Sequence, residues 1–222
     1  MSNPATPRFE NLDDDKRERI LDAATEEFAS HGYHQASVNR LVRTVGIAKG
    51  SIFQYFGTKQ GLFEYLFGRW VEQFKAPLKA VRQASPDFFE RVRGSLRAGL
   101  VFIREHPRVY RVYLSMLYQE NVPFRDTFLR QVRSYSAEYL GELVDEARAA
   151  GQLRPDLDTA AAVFLLDALL DRFLQARAMP FVSEELHGLD EAGALRRIDQ
   201  LVDCLRRGMA ADPESHNPSK ES

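Results

Sequence analysis

The stretch Ser37–Phe63, SVNRLVRTVGIAKGSIFQYFGTKQGLF, carries four basic residues and no acidic one, in a chain where Asp and Glu outnumber Lys and Arg by 32 to 30. Val38, Leu41, Val42 and Val45 recur at helical spacing behind Ser37, a good N-cap, and Gly46 ends the run. The pattern predicts a helix of roughly two turns. Only Ile47 and Ala48 separate Gly46 from Lys49–Phe56, KGSIFQYF, where Ile52 and Phe56 share one face and Lys49, Ser51, Gln54 and Tyr55 lie on others. Two short helices joined by a tight glycine-containing turn make a helix-turn-helix, whose second member sets its N-terminal residues in the DNA major groove. A carboxylate on that surface would repel phosphate, so its absence is what DNA binding requires. A small helical hairpin with a chance charge bias is the competing reading.

Outward from this stretch the periodicity stays helical, and the fold class read from it is all-α. On the N-terminal side, DDDKRERILDAATEEFASHG (Asp13–Gly32) opens with carboxylates suited to a helix start, carries Ile20, Leu21, Ala24 and Phe28, and closes at Gly32. Residues 1–15 are expected to be a flexible segment. On the C-terminal side Thr58 can cap a helix carried by Leu62, Phe63, Leu66, Phe67, Trp70, Val71 and Phe74, which Pro77 is expected to end or kink. Longer helices follow from Pro86. They are marked by Phe89 to Ile103, by Tyr110 to Leu117 starting at Pro107, by Phe128 to Leu143, by Ala160 to Leu174, and by Leu195 to Leu205. The division expected is a DNA-binding domain over 16–62, a helical ligand-binding and dimerisation domain over 63–209, and a disordered tail over 210–222. No strand-like alternation or internal repeat is evident.

Composition excludes several classes. At 222 residues, 44% hydrophobic and 11% aromatic, the chain can build a sizeable core. No secretory leader is visible, and the longest apolar run, Ala160 to Leu166, is far short of the roughly 20 residues that span a bilayer, so a cytoplasmic protein without a membrane partner is expected. Cys204 is the only cysteine, which leaves no intramolecular disulfide and no thiolate zinc site. The five histidines are scattered, and neither H-E-x-x-H, G-x-S-x-G nor a G-x-x-x-x-G-K phosphate loop occurs. Neither catalysis nor a cofactor or metal is expected. A helical enzyme and a helical interaction protein without DNA are the alternatives, and the second leaves the acid-free stretch unexplained.

In one register, Gly46, Lys49, Gly50, Phe53, Phe56, Lys59, Leu62 and Phe63 resemble the DNA-binding signature of TetR/AcrR-type transcriptional regulators. The first helix fits the same pattern, and GQLRPDLD (Gly151–Asp158) resembles the C-terminal domain more weakly. The resemblance implies a repressor that binds a palindromic operator on double-stranded DNA as a homodimer. It also implies release by a small hydrophobic or aromatic effector, acyl thioesters being one class that fits. By the same resemblance Lys49, Gly50, Ser51, Phe53, Gln54 and Tyr55, with Ser37 and Asn39, would meet bases and phosphates, and Lys59 the DNA backbone. The chemistry agrees: Lys49 can pair with guanine or phosphate, Gln54 with adenine, and Ser51 or Asn39 with either kind of group. Three positions depart from the pattern. Ala48 stands where a capping Ser or Thr is common, Phe53 lacks the hydroxyl of the commoner Tyr, and Gly61 stands where Glu often completes a capping box with Thr58, which predicts a loosely pinned helix start.

In the C-terminal part, the run from Ala160 to Leu174 is apolar on nearly every side, which suits a helix that packs on its own core and on a partner, with the Leu195 to Leu205 helix beside it, in a four-helix dimer interface. Tyr110, Tyr113, Leu117, Phe128, Tyr135 and Phe173 are the candidate effector contacts, plain core packing being the alternative for each. Arg172 is expected to pair with Asp167 and Asp171 along one helix or to meet an acidic ligand group.

Overall fold

The computed structural model describes residues 5–118, 122 and 124–210. In chain order the helices are α1 (Pro7–Glu10), α2 (Asp14–Gln35), α3 (Val38–Val45), α4 (Lys49–Phe56), α5 (Lys59–Ala84) and α6 (Phe88–Glu105). They continue as α7 (Pro107–Tyr118), α8 (Arg125–Ala149), α9 (Thr159–Ala178), α10 (Glu184–Gly188) and α11 (Glu191–Met209). The β structure among the described residues is one isolated antiparallel bridge, Leu153 to Ala210.

Most helix ends follow from local chemistry. The Asp13 carboxylate accepts from the N–H groups of Asp15 and Lys16 at the start of α2, and Asp158, Ser183 and Asp190 do the same work for α9, α10 and α11. Gly32, the expected end of α2, is instead an internal kink at φ 67, past which the helix continues to Gln35. Pro77 does not end α5 either. The turns beyond it are held by Val81, which fills the space a Cβ at Gly94 would need, and by Arg82, paired with Glu142 and Glu146. The short α10 was not anticipated.

The N-terminal segment, expected to be flexible over 1–15, contains α1. Its Phe9 is wholly buried, with its ring 4.5 Å from that of Phe56 and 5.4 Å from that of Tyr65. One aromatic side chain removed from water accounts for the order. The tail expected to be disordered lies, from residue 211 on, outside the described residues.

Two units build the fold. The first takes the described residues among 5–75 and 105–129. The border expected between residues 62 and 63 therefore falls inside it, because Phe63 belongs to a ring cluster with Phe28 (4.9 Å between centroids), Trp70 (5.8 Å), Phe124 (5.7 Å) and Phe128 (5.7 Å). α7 packs on α2 in the same unit, with Arg108 paired to Glu26 at 2.6 Å. The second unit takes 76–104 and 130–210. Its core joins Phe88, Phe89, Val92 and Leu96 of α6, Leu140 and Leu143 of α8, Leu166 and Phe173 of α9, and Ile198, Val202 and Leu205 of α11. The Gln152 amide closes one end of this unit, accepting from Phe88 N at 2.7 Å and donating to Pro86 O at 2.9 Å.

Candidate nucleic-acid interface

α3 and α4 form the helix-turn-helix, and glycine makes its corner. Gly46 adopts φ 76, ψ 38, and the N–H groups of Gly46 and Ile47 both donate to Val42 O (2.9 and 3.0 Å), closing α3. Ser37 Oγ accepts from Arg40 N at 3.4 Å as the N-cap of α3. Ala48 supplies no side-chain cap to α4, as its sequence implies. At the start of α5, Thr58 Oγ1 accepts from Gly61 N at 2.9 Å. The loose start expected there is therefore not observed. A Cβ at Gly61 would stand 2.1 Å from Phe56 O, so glycine lets the chain close this corner tightly.

α4 presents two faces. Ile52, Tyr55 and Phe56 are buried, while Lys49, Gly50, Phe53 and Gln54 are exposed along one side. Asn39 is exposed on α3, and Ser37 and Ser51 are half-buried. A Cβ at Gly50 would meet nothing within 4 Å, so packing does not require glycine there. Lys49 and Arg43 bring exposed positive charge to a surface whose own helices supply no carboxylate.

Two residues expected on this surface sit elsewhere. Tyr55 is only 5% exposed; its ring lies 5.5 Å from that of Phe9, and its carbonyl accepts from Thr6 N at 2.9 Å. The Lys59 ammonium is turned to the end of α2, where it donates to the carbonyls of Tyr33 (2.7 Å), His34 (3.3 Å) and Ala36 (3.1 Å).

Sequence reading missed the residues that hold this unit's corner in place. Glu27 on α2 accepts from the Ser37 N–H at 2.6 Å and from Arg40 Nε and Nη2, fixing the start of α3. Burial raises the pKa of its carboxyl, but the hydrogen bonds from Arg40 and Ser37 and the Arg40 charge outweigh that and hold it below the usual carboxylate range. Arg19 Nη2 donates to Val45 O at 3.0 Å, satisfying a C-terminal carbonyl of α3. Thr6 Oγ1 donates to Gln54 O at 3.1 Å at the end of α4. Phe9 could have been found as the one aromatic residue in a polar segment, just behind a Pro at a first helical position. The partners of Glu27 and Arg19 are distant in sequence and left no local signal.

The six candidate effector contacts divide between the units. Tyr110 and Tyr113, with rings 5.7 Å apart, Leu117 and Phe128 belong to the first unit; Tyr135 and Phe173 belong to the second. Tyr110, Phe128 and Phe173 are buried, and Tyr113, Leu117 and Tyr135 are half-buried. Tyr135 OH accepts from Gln131 Nε2 at 2.9 Å. The expected pairing of Arg172 with Asp167 and Asp171 gives way to Arg133 of α8, at 3.0 and 2.6 Å from them, because Arg172 lies on the exposed side of α9. On that side Ala161, Phe164, Leu165 and Ala168 form an apolar stripe, with Phe164 76% exposed. On α11, Ile198, Val202 and Leu205 pack in the unit's own core, and the exposed side carries Arg196, Asp199, Gln200 and Asp203.

Residues 20–66 match the family model for bacterial regulatory proteins of the tetR family, and residues 86–210 match that for the tetracyclin repressor-like C-terminal domain. A TetR family transcriptional regulator from Chloroflexus aurantiacus superposes with a TM-score of 0.71 at 33% identity, over 94% of this chain and 99% of that one. The transcriptional repressor AcnR of Corynebacterium diphtheriae is 28% identical over 164 residues, 73% of this chain and 81% of its own length. The regulator FadR from Bacillus subtilis, solved in complex with stearoyl-CoA, shares the fold with a TM-score of 0.69 at 17% identity, over 86% of this chain and 98% of that one.

Proposed function

Because the chain belongs to the TetR family of bacterial transcriptional regulators, we propose that it represses transcription as a homodimer that sets two α4 helices into a palindromic operator and lets go when a small hydrophobic effector binds. It is a ligand-responsive DNA-binding regulator and not an enzyme. The observation that carries the operator contact is the exposed row of Lys49, Gly50, Phe53 and Gln54 on a helix whose opposite face is buried. In this reading Lys49 pairs with guanine or phosphate and Gln54 bonds adenine at two points. Ser51, Asn39 and Ser37 bond bases or phosphates, and Phe53 meets a thymine methyl or a sugar. Gly50 lets the backbone come close to the DNA.

The dimer partner is a second copy, taken on the apolar stripe of α9 with α11 beside it, in a four-helix interface. Stearoyl-CoA in the structurally similar FadR supports an apolar effector, with acyl thioesters among the classes that fit. Tyr113 and Leu117 in the first unit and, separately, Tyr135 in the second are the half-buried members of the candidate set and the first to test. A site of action in the cytoplasm follows from the DNA target. Among the described residues no helix is long and apolar enough to cross a membrane.

Footprinting on the DNA upstream of this protein's own gene tests the proposal. The expected result is two protected half-sites related by a two-fold axis and separated by about one helical turn or slightly more. Protection of a single asymmetric half-site by a monomer would overturn it.

A further inference from the structure

We infer that Lys59 is a positioning residue, which ties the end of α2 to the start of α5 and so sets where α3 and α4 stand, and that it gives no hydrogen bond to DNA. This rests on the operator-binding reading and refines it. A protonated lysine has three N–H donors and no acceptor. The Lys59 ammonium has three carbonyl partners, Tyr33 O, His34 O and Ala36 O at 2.7, 3.3 and 3.1 Å, and they use the full complement. The same group lies 4.7 Å from the centre of the Tyr33 ring. These carbonyls close the last turn of α2 and its link to Ser37, where a helix leaves acceptors unsatisfied and its dipole favours a cation. Burial pushes the Lys59 pKa down, and the Glu27 charge opposes the fall. An ammonium surrounded in this way is poorly placed to leave for a phosphate. Glu27 holds the other side of the same link through the Ser37 N–H, so the two side chains between them fix the backbone that leads into α3.

Operator affinity measured from low to high salt distinguishes positioning from contact. Each phosphate contact removed lowers the slope of log affinity against log salt by about 0.9. Lys59→Met is expected to weaken operator binding roughly tenfold or more and to leave the slope at the wild-type value. Lys59→Arg is the second arm. A phosphate contact would survive this change, because guanidinium suits phosphate at least as well, whereas a planar fork cannot match three convergent carbonyls. Affinity is therefore expected to fall with Arg as well. Helicity and melting temperature of each variant without DNA are recorded first, and Lys59→Gln replaces any variant that does not fold. A reduced salt slope in Lys59→Met, full affinity in Lys59→Arg, or wild-type affinity in all variants would overturn the inference. Failure of the wild-type protein to bind any upstream sequence would strike the operator reading itself, and the melting data would still report whether Lys59 holds the corner.

Discussion

Gly61 admits no side chain, because the atom a Cβ would meet is a backbone carbonyl, Phe56 O, which cannot turn away as a side chain could. Gly61→Ala should therefore cost about 1 to 3 kcal/mol of stability, read as a lower thermal midpoint; an unchanged midpoint would show that the corner can relax. Glu27 makes a second residue-scale argument. Its folded pKa is lowered, so the stability it contributes is complete above the unfolded value and is lost as pH falls through the folded one. The window lies below about pH 4. In acid titrations followed by circular dichroism, Glu27→Gln should be less stable than wild type at neutral pH, and the gap should narrow as pH falls through that window. On the DNA side, Lys49→Ala and Gln54→Ala should each weaken operator binding. For Gln54 the loss should appear as relaxed preference at one base position, at roughly 1 to 3 kcal/mol. Equal affinity of both variants and wild type for the operator and its single-base mutants would remove α4 from its assigned role.

At the scale of the element, α1 gives α4 what its own sequence does not. No side chain caps the start of α4 at Ala48, but its far end is held by Thr6, which donates to both Gln54 O and Tyr55 O. Beneath those bonds the Phe9 ring rests on Tyr55 and Phe56, and Arg17 Nη1 donates to Glu10 O at 3.1 Å, joining α1 to α2. A recognition helix of two turns is too short to be stable alone, so its position depends on such neighbours. Phe9→Ala is expected to cost roughly 3 to 5 kcal/mol, the usual loss for a buried Phe, and to reduce operator affinity at temperatures where the variant remains folded. Wild-type melting and binding of that variant would mean that α1 is an ornament on the fold.

For the whole molecule, the proposed dimer decides what operator can be bound. A two-fold axis doubles every contact, so one substitution on the α9 stripe is felt twice in the interface. Phe164→Asp should shift the protein toward monomer in sedimentation at micromolar concentration, with a cost of about 2 kcal/mol or more if this residue is central. Operator affinity should fall with it. An intact dimer in that variant would move the interface elsewhere. Effector response is governed by linkage: a ligand loosens DNA only as far as it prefers the state that does not bind operator. Acyl thioesters and aromatic acids that raise the melting temperature should therefore lower operator affinity by a comparable factor.

The helix-turn-helix was legible from sequence because its determinants are local. An N-cap serine, a left-handed Gly46, an i, i+3, i+4 apolar row and the lack of acid between Ser37 and Phe63 all lie within a few residues of the structure they produce. The same spacing set Lys49 and Gln54 apart from the Ile52 and Phe56 face, and both are exposed. What tertiary structure alone decided is the destination of side chains whose partners are far along the chain. Tyr55 goes into the core because Phe9 is there to meet it, and Lys59 turns to α2 because three carbonyls converge within reach of its ammonium. Likewise Phe128 joins the ring cluster around Phe63, α11 spends its apolar row inside its own unit, and Arg133 rather than Arg172 takes Asp167 and Asp171. A spacing rule reports which residues share a face, whereas the occupant of that face is set by packing and charge between segments tens of residues apart, and neither leaves a periodic trace in the sequence.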